Sequence, residues 1–242
     1  MAKAEKSMKA GFISFLSPPD YFSAALDLQQ AAQKYRAARM PDKALDAWMK
    51  AAQCQMTNKD QLGAARSLEQ AAALSDTELK DPVKAMALWT DAKNKYRAGG
   101  KFEQANKMLL KMAEAAAPTN VAEAKAYYDE ALEILTEEER YHEANEVFKA
   151  LVGLLVKGED FRGALNTIDR HVANLEQLKQ WNFVHKELLG KIVLQLKVGD
   201  TVKADEVINE GLNVEGFLQS REYEAGSALL QAWREMDPDM VK

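Results

Sequence analysis

Residues 40–65 read MPDKALDAWMKAAQCQMTNKDQLGAA, and one alternation inside them decides the fold. A breaker, Pro41-Asp42, is followed by an alanine, Ala44, and then by apolar residues at helical spacing. A second breaker, Asn58-Lys59-Asp60, is followed by Ala64. Proline and aspartate at a helix start and apolar residues three and four apart mark one amphipathic helix between two turns. The pattern then continues along the chain. Alanines stand at Ala24, Ala44, Ala64, Ala85, Ala105, Ala124, Ala144 and Ala164, and their numbering advances by nearly the same step each time. The step lengthens by one before Ala85 and shortens by one before Ala124. Ala204 follows two steps after Ala164, with Val184 at the midpoint.

The residue three before each alanine is often bulky, as at Tyr21, Pro41, Pro82, Phe102, Val121, Tyr141 and Phe161. Residues three apart share a helix face, so a large side chain covers the first turn while the small one admits a neighbouring helix. Each unit is then one helix of about four turns plus a short turn, and two units make an antiparallel hairpin. The spacing predicts helices over 2–16, 20–38, 42–57, 60–75, 81–98, 101–117, 120–136, 140–157, 160–178, 181–198, 201–213 and 217–236. Hairpins of this kind bury their apolar faces only against neighbouring hairpins. The expected fold is all-α, a right-handed superhelical solenoid of tetratricopeptide-like (TPR-like) hairpins with longer helices. The tetratricopeptide period of about 34 residues and its Trp-Leu-Gly-Tyr pattern are not those of this chain. Residues 1–216 form the hairpin sheet in this reading, and 217–242 begin a C-terminal helical region.

Composition agrees. The chain has 242 residues, 47% hydrophobic and 29% charged, and a formal net charge of −5. Good helix formers dominate, and a mildly acidic chain lacks general affinity for nucleic acid. The single cysteine, Cys54, excludes an internal disulfide and sits in a helical run as a small core filler. No stretch approaches the roughly 18 consecutive apolar residues of a membrane-spanning helix. The charged start MAKAEKSMKAGF lacks the apolar run of a signal peptide. These features imply a cytoplasmic protein whose membrane contact, if it has one, is peripheral.

Chemistry is hard to find in this sequence. His142, His171 and His185 lie on different helices at no ligand-like spacing and read as surface or interface residues; no metal site, cofactor or small-molecule substrate is implied. The phosphate-binding and nucleophile-elbow glycine motifs are absent, and Gly99-Gly100 fits a helix stop. The run Thr136-Glu137-Glu138-Glu139 reads as a helix entry with its carboxylates at the positive end of the dipole. Trp48, Trp89, Trp181 and Trp233 read as core or groove-lining residues. No catalytic residue is assigned. A helical scaffold without a catalytic constellation works by presenting surface to a partner.

Several segments resemble the soluble NSF attachment proteins, most of all the gamma type. They are AKAEKSMKAGFISFLSPPDYFSAA (2–25), AAQKYRAARMPDKALDAWMKAA (31–52), GGKFEQANKMLLKMAEAAA (99–117) and NVEGFLQSREYEAGSALLQAW (213–233). The resemblance implies an adaptor, not an enzyme, that lies along a bundled SNARE complex and recruits the hexameric NSF ATPase to take it apart. Basic side chains would face the acidic outside of the bundle. The match at Gly100-Lys101-Phe102-x-x-Ala105-x-Lys107 puts Lys101 and Lys107 in that role. In the helix at 140–157 the pattern departs, with Glu146 where the alpha type has lysine and Lys149 nearby; Lys186, Lys191 and Lys203 are further candidates. The family continues beyond Lys242, and its ATPase-engaging terminal helices have no clear counterpart here. A generic TPR-like scaffold that binds peptides or assembly subunits is the alternative, recognisable by an aromatic groove at Trp48 or Trp89.

The resemblance also implies a membrane-contacting loop at 11–19, formed by Phe12, Ile13, Phe15 and Leu16 ahead of Pro18-Pro19. On a helix, Met8, Phe12 and Phe15 would instead share one face and dock on Tyr21-Phe22. Both readings stand at this level. Displayed to lipid, four such side chains would contribute roughly 6 to 8 kcal/mol by area before ordering costs.

Overall fold

The computed structural model describes residues 20–236, so the expected first helix, the candidate loop residues Phe12, Ile13, Phe15 and Leu16, and the last six residues lie outside the described residues. Among those described there are eleven α-helices and no strand. We number them α1 (Tyr21–Ala37), α2 (Pro41–Thr57), α3 (Gln61–Thr77), α4 (Pro82–Ala98), α5 (Phe102–Ala116), α6 (Val121–Glu137), α7 (Tyr141–Lys157), α8 (Phe161–Gln177), α9 (Trp181–Lys197), α10 (Thr201–Gly211) and α11 (Arg221–Met236). They fall into two compact units, α1–α5 up to Pro118 and α6–α11 from Thr119 onward.

The regular unit is 17 helical residues plus three in the turn, as in α1 to α2. One turn residue takes a left-handed conformation: Arg39, Lys59, Lys80, Glu139, Glu159 and Lys179 have φ of 53 to 60°, and Gly100 and Gly199 take the same place at 68° and 82°. The N–H after it reaches back five residues, as from Asp60 to Gln55 (2.8 Å), Lys101 to Tyr96 (2.8 Å) and Asp160 to Leu155 (2.9 Å). This closes the carbonyls left open at a helix C-terminus. The same residue then caps the next helix. Asp60, Asp81, Asp160 and Asp200 each accept the N–H three residues on, at 2.8–3.0 Å, a cap contributing about 1 kcal/mol.

The two irregular steps in the alanine spacing have local causes. The longer step comes from an extra turn residue after α3, where Asp81 N–H reaches Ser75. The shorter step comes from α5, which is only 15 residues long and whose following turn runs through Ala117 without a left-handed residue. The two units divide there.

Every spaced residue from Ala24 to Ala204, Val184 included, is fully buried at 0% exposure. Each occupies the fourth helical position, and its N–H bonds the capping residue's carbonyl, as from Ala44 to Met40 and Ala105 to Lys101. In the first unit the core is alanine-rich, with Leu28, Leu74, Met108, Leu109 and Met112 filling between helices. Cys54 is buried, packed with Ala24, Ala25, Leu28 and Ala51, and burial pushes its thiol pKa up. In the second unit, Val184, Leu188, Ile192, Val207, Phe217 and Leu230 form one cluster across α9, α10, the 217–219 turn and α11.

Three expectations need correction. His171 (1% exposed) and His185 (5%) are core residues and not surface ones. His171 Nε2 lies 3.3 Å from Asn145 Oδ1, and its Nδ1 lies 3.2 Å from the Glu187 carboxylate without hydrogen-bond alignment. Asn174 completes this polar layer by donating to Asn145 (2.8 Å) and to the Tyr141 carbonyl (3.0 Å). Neighbouring helices supply the partners that make such burial tolerable. The acidic run at 137–139 is the exit of α6, with Glu137 its last residue and Glu139 left-handed, so the carboxylates sit at the negative end of a helix dipole. The helix expected from 217 starts at Arg221. Residues 217–219 form a 3₁₀ turn, and Ser220 ends it by donating to the Phe217 carbonyl (2.6 Å) and accepting the Tyr223 N–H (3.1 Å).

That turn exists because Phe217 is fully buried against Gly211, the last residue of α10. A Cβ added at Gly211 would lie 2.6 Å from the Phe217 ring. Gly→Ala in a helix ordinarily stabilises by up to about 1 kcal/mol. Here overpacking reverses the sign, and Gly211→Ala is expected to cost about 1–3 kcal/mol in urea unfolding.

Candidate interaction surface

The six candidate lysines occupy three different places. Lys101 is the N-cap residue of α5, with its backbone carbonyl accepting from Ala105 and its side chain exposed. Further along α5, Lys107 bonds Glu103 at 2.6 Å and is 59% exposed. Both belong to the first unit.

In the second unit the lysines divide across α9. Lys186 and Lys191 are five residues apart, which at about 100° per residue places them about 140° apart around the helix. Lys186 Nζ lies 5.3 Å from the Phe183 ring centre, and Lys149, from α7, lies 5.8 Å from the same ring. Two ammonium groups from separate helices thus flank one aromatic ring that is itself 43% exposed. Cation–π contacts at such exposed sites contribute about 0.5–1 kcal/mol each. Lys149 also bonds Glu146 at 2.8 Å and holds that carboxyl below its ordinary range. The position where the family pattern is broken therefore tempers one lysine.

Lys191 and Lys203 lie on the other flank, in a groove between α8 and α10 that Arg162, Asp169 and Glu206 also line. Lys191 is bonded to Asp169 at 2.6 Å with only 16% of its side chain exposed, and Lys203 lies 3.7 Å from Asp200. Sequence reasoning missed Phe183. Its one signal was the three-residue spacing to Lys186; the approach of Lys149, two helices earlier in the chain, has no trace in sequence.

Other cations are committed elsewhere. Asp129 on α6 accepts from Lys125 (2.6 Å) and from Arg170 on α8 (2.7 Å). Burial alone would push its carboxyl up, but the hydrogen bonds from Arg170 and Lys125 outweigh it and hold the carboxyl below the ordinary aspartate range. Among the described residues no group of three His, Cys, Asp or Glu could hold a metal ion, and no helix is long and apolar enough to cross a membrane.

Stacked antiparallel hairpins with their polar chemistry spread over helix flanks define a helical-repeat protein of the TPR-like class. Solved structures carry the same fold: BtubC from P. vanneervenii (TM-score 0.51, 16% identity, 97% of this chain and 89% of that one), the apo form of RapI (0.50, 10%, 90% and 86%), and the STAND protein with a tetratricopeptide repeat sensor from Pyrococcus horikoshii (0.50, 14%, 91% and 35%). The family "Soluble NSF attachment protein, SNAP" matches residues 1–242, and this chain belongs to it. Curated relatives include the gamma-soluble NSF attachment proteins of Dictyostelium discoideum and Arabidopsis thaliana. The first is 26% identical over 223 residues, 92% of this chain and 68% of that protein. The second is 27% identical over 249 residues, 100% and 82%.

The Asp129 pairs carry a pH signature. A carboxyl with a depressed folded pKa contributes stability that is present above its unfolded value and is lost as pH falls through the folded one. Asp129→Asn is expected to cost about 1 kcal/mol at pH 7, and urea unfolding at acid pH, below the ordinary aspartate value, should show wild type and variant converging.

Proposed function

We propose that this chain is a SNAP-type adaptor that holds an assembled SNARE complex and couples it to the hexameric NSF ATPase during intracellular membrane traffic. The single observation carrying this reading is the Lys149–Phe183–Lys186 cluster. The family resemblance implies an acidic outside on the SNARE bundle, and two cations around an exposed ring suit such a surface. Family membership supplies the NSF side of the role. Lys101 and Lys107, in the first unit, are further candidates by their exposed charge. The pairing of Lys191 with Asp169 leaves it less free for the same work, and Lys203 stands beside it.

Exposed pairs of this kind contribute under about 1 kcal/mol each, so the contact works as a set and weakens as salt screens it. Pull-down of an assembled SNARE bundle tests the reading. Capture should be strong at low salt and fall at high salt. Lys149→Glu with Lys186→Glu should reduce low-salt capture by about tenfold or more, with an unchanged melting temperature. Absence of capture by the wild type at low salt would remove the proposal.

The apolar run Phe12, Ile13, Phe15 and Leu16 is proposed as the membrane contact of the same adaptor, peripheral and weak for one copy, as a single lipid anchor is. Phe12→Ser with Phe15→Ser should lower liposome flotation and leave the melting temperature nearly unchanged. A large fall in melting temperature would assign these residues to the core instead.

A further inference from the structure

The first unit carries two clefts built to one plan. Trp48 on α2 and Trp89 on α4 both stand four residues after a spaced alanine, and each lies beneath the gap between the helix before it and the helix after it. The first cleft, about 460 Å³, lies between α1 and α3; the second, about 330 Å³, lies between α3 and α5. Both indoles are buried, at 7% and 3% exposure. Volumes of this size suit a few residues of a bound segment.

Their walls differ in charge. Arg36, Arg66 and the amides of Gln29, Gln33 and Gln70 line the first cleft, which contains no carboxylate. Arg36 is held by Glu78 at 2.6 Å, but Arg66, Gln33 and Gln70 have no hydrogen-bond or ion-pair partner among the described residues. Primary amides offer both a donor and an acceptor, the two groups a peptide backbone needs. The second cleft carries Asp76 and Glu114, neither paired among the described residues, while its one cation, Lys111, is bonded to Glu69 at 3.2 Å.

From the paired Trp48 and Trp89 clefts we infer that the first unit binds a single extended segment of a partner protein, an acidic side chain meeting Arg66 and a basic side chain meeting Asp76 and Glu114. One helix, α3, separates the clefts. Arg66 and Asp76 are ten residues apart on α3, about 15 Å along its axis, and extended chain advances about 3.3–3.6 Å per residue, so the two charges are about four residues apart. The segment crosses α3 at Ala73, whose small side chain lies in the second cleft. Each charge meets its wall in a cleft partly withdrawn from water, with a buried indole at the cleft floor. This site is separate from the Lys149–Phe183–Lys186 cluster and does not depend on the SNARE reading.

The indole N–H signals of isotope-labelled full chain report directly. The signals of Trp48 and Trp89 are distinguished from those of Trp181 and Trp233 by single Trp→Phe variants. The probe is the blocked peptide Gly-Ser-Glu-Leu-Ser-Ser-Arg-Ser-Gly at low-millimolar concentration, with the same peptide carrying Glu for Arg as control. Saturable shifts of the Trp48 and Trp89 signals with the first peptide, and of the Trp48 signal alone with the control, support the site. Arg66→Glu should weaken the Trp48 response about tenfold, leave the melting temperature unchanged and leave SNARE-bundle capture intact. The inference is overturned if neither signal moves with either peptide, if both peptides move both signals equally, or if only Trp48 responds to the Glu–Arg peptide. Loss of bundle capture in Arg66→Glu would also overturn it, by making the cleft part of the bundle surface.

Discussion

Everything in this architecture depends on one fully buried residue at the fourth position of each helix from α1 to α10. Its N–H closes the first intrahelical bond onto the capping residue, and its side chain, nearly always a methyl, lets the adjacent helix come close. The position therefore couples where a helix starts to how near its neighbour lies. A larger side chain would need either a wider spacing or a shifted cap, and close-packed interiors tolerate neither cheaply. Val184 is the one substitution in the series, and it falls where the core changes from alanine-rich to a cluster of Leu, Ile and Phe around α9.

The turns obey the same economy. Three residues end one helix and begin the next: a C-cap, a left-handed residue and an N-cap. Lysine, arginine or glutamate holds the left-handed place at six turns, at about 1–2 kcal/mol of strain each, which the backbone bond and the cap offset. Where the turn gains a residue, after α3, or loses its left-handed one, after α5, the alanine spacing shifts by one. The second of these irregular turns is also where the chain divides into its two units.

Function on such a scaffold is a matter of flanks. Each helix exposes several sides, and α9 shows the consequence: Lys186 joins Lys149 around Phe183 while Lys191, five residues on, closes an ion pair with Asp169 on another side. Lysines that look equivalent in a string flank an exposed ring in one case and form a helix-to-helix tie in the other. The family to which the chain belongs consists of attachment proteins, and a surface assembled from adjacent helices suits that task better than a cavity does.

The sequence by itself determined where most of the described helices begin and turn, because the breakers, the capping residues and the buried alanine are local and recur at a nearly fixed interval. It also determined that Cys54 would be interior. Its reading failed at Glu137–Glu139, where acidic residues between two helices suit either end and only the bond pattern decides. It failed again at Ser220, where a buried phenylalanine interrupts what looks like one continuous helix. Burial of His171 and His185, the convergence of Lys149 on Phe183, and the charges facing each other across the tryptophan clefts were decided by tertiary structure alone. Each of these joins side chains from different helices, and which flank of a helix meets which neighbour depends on crossing geometry that no single segment encodes.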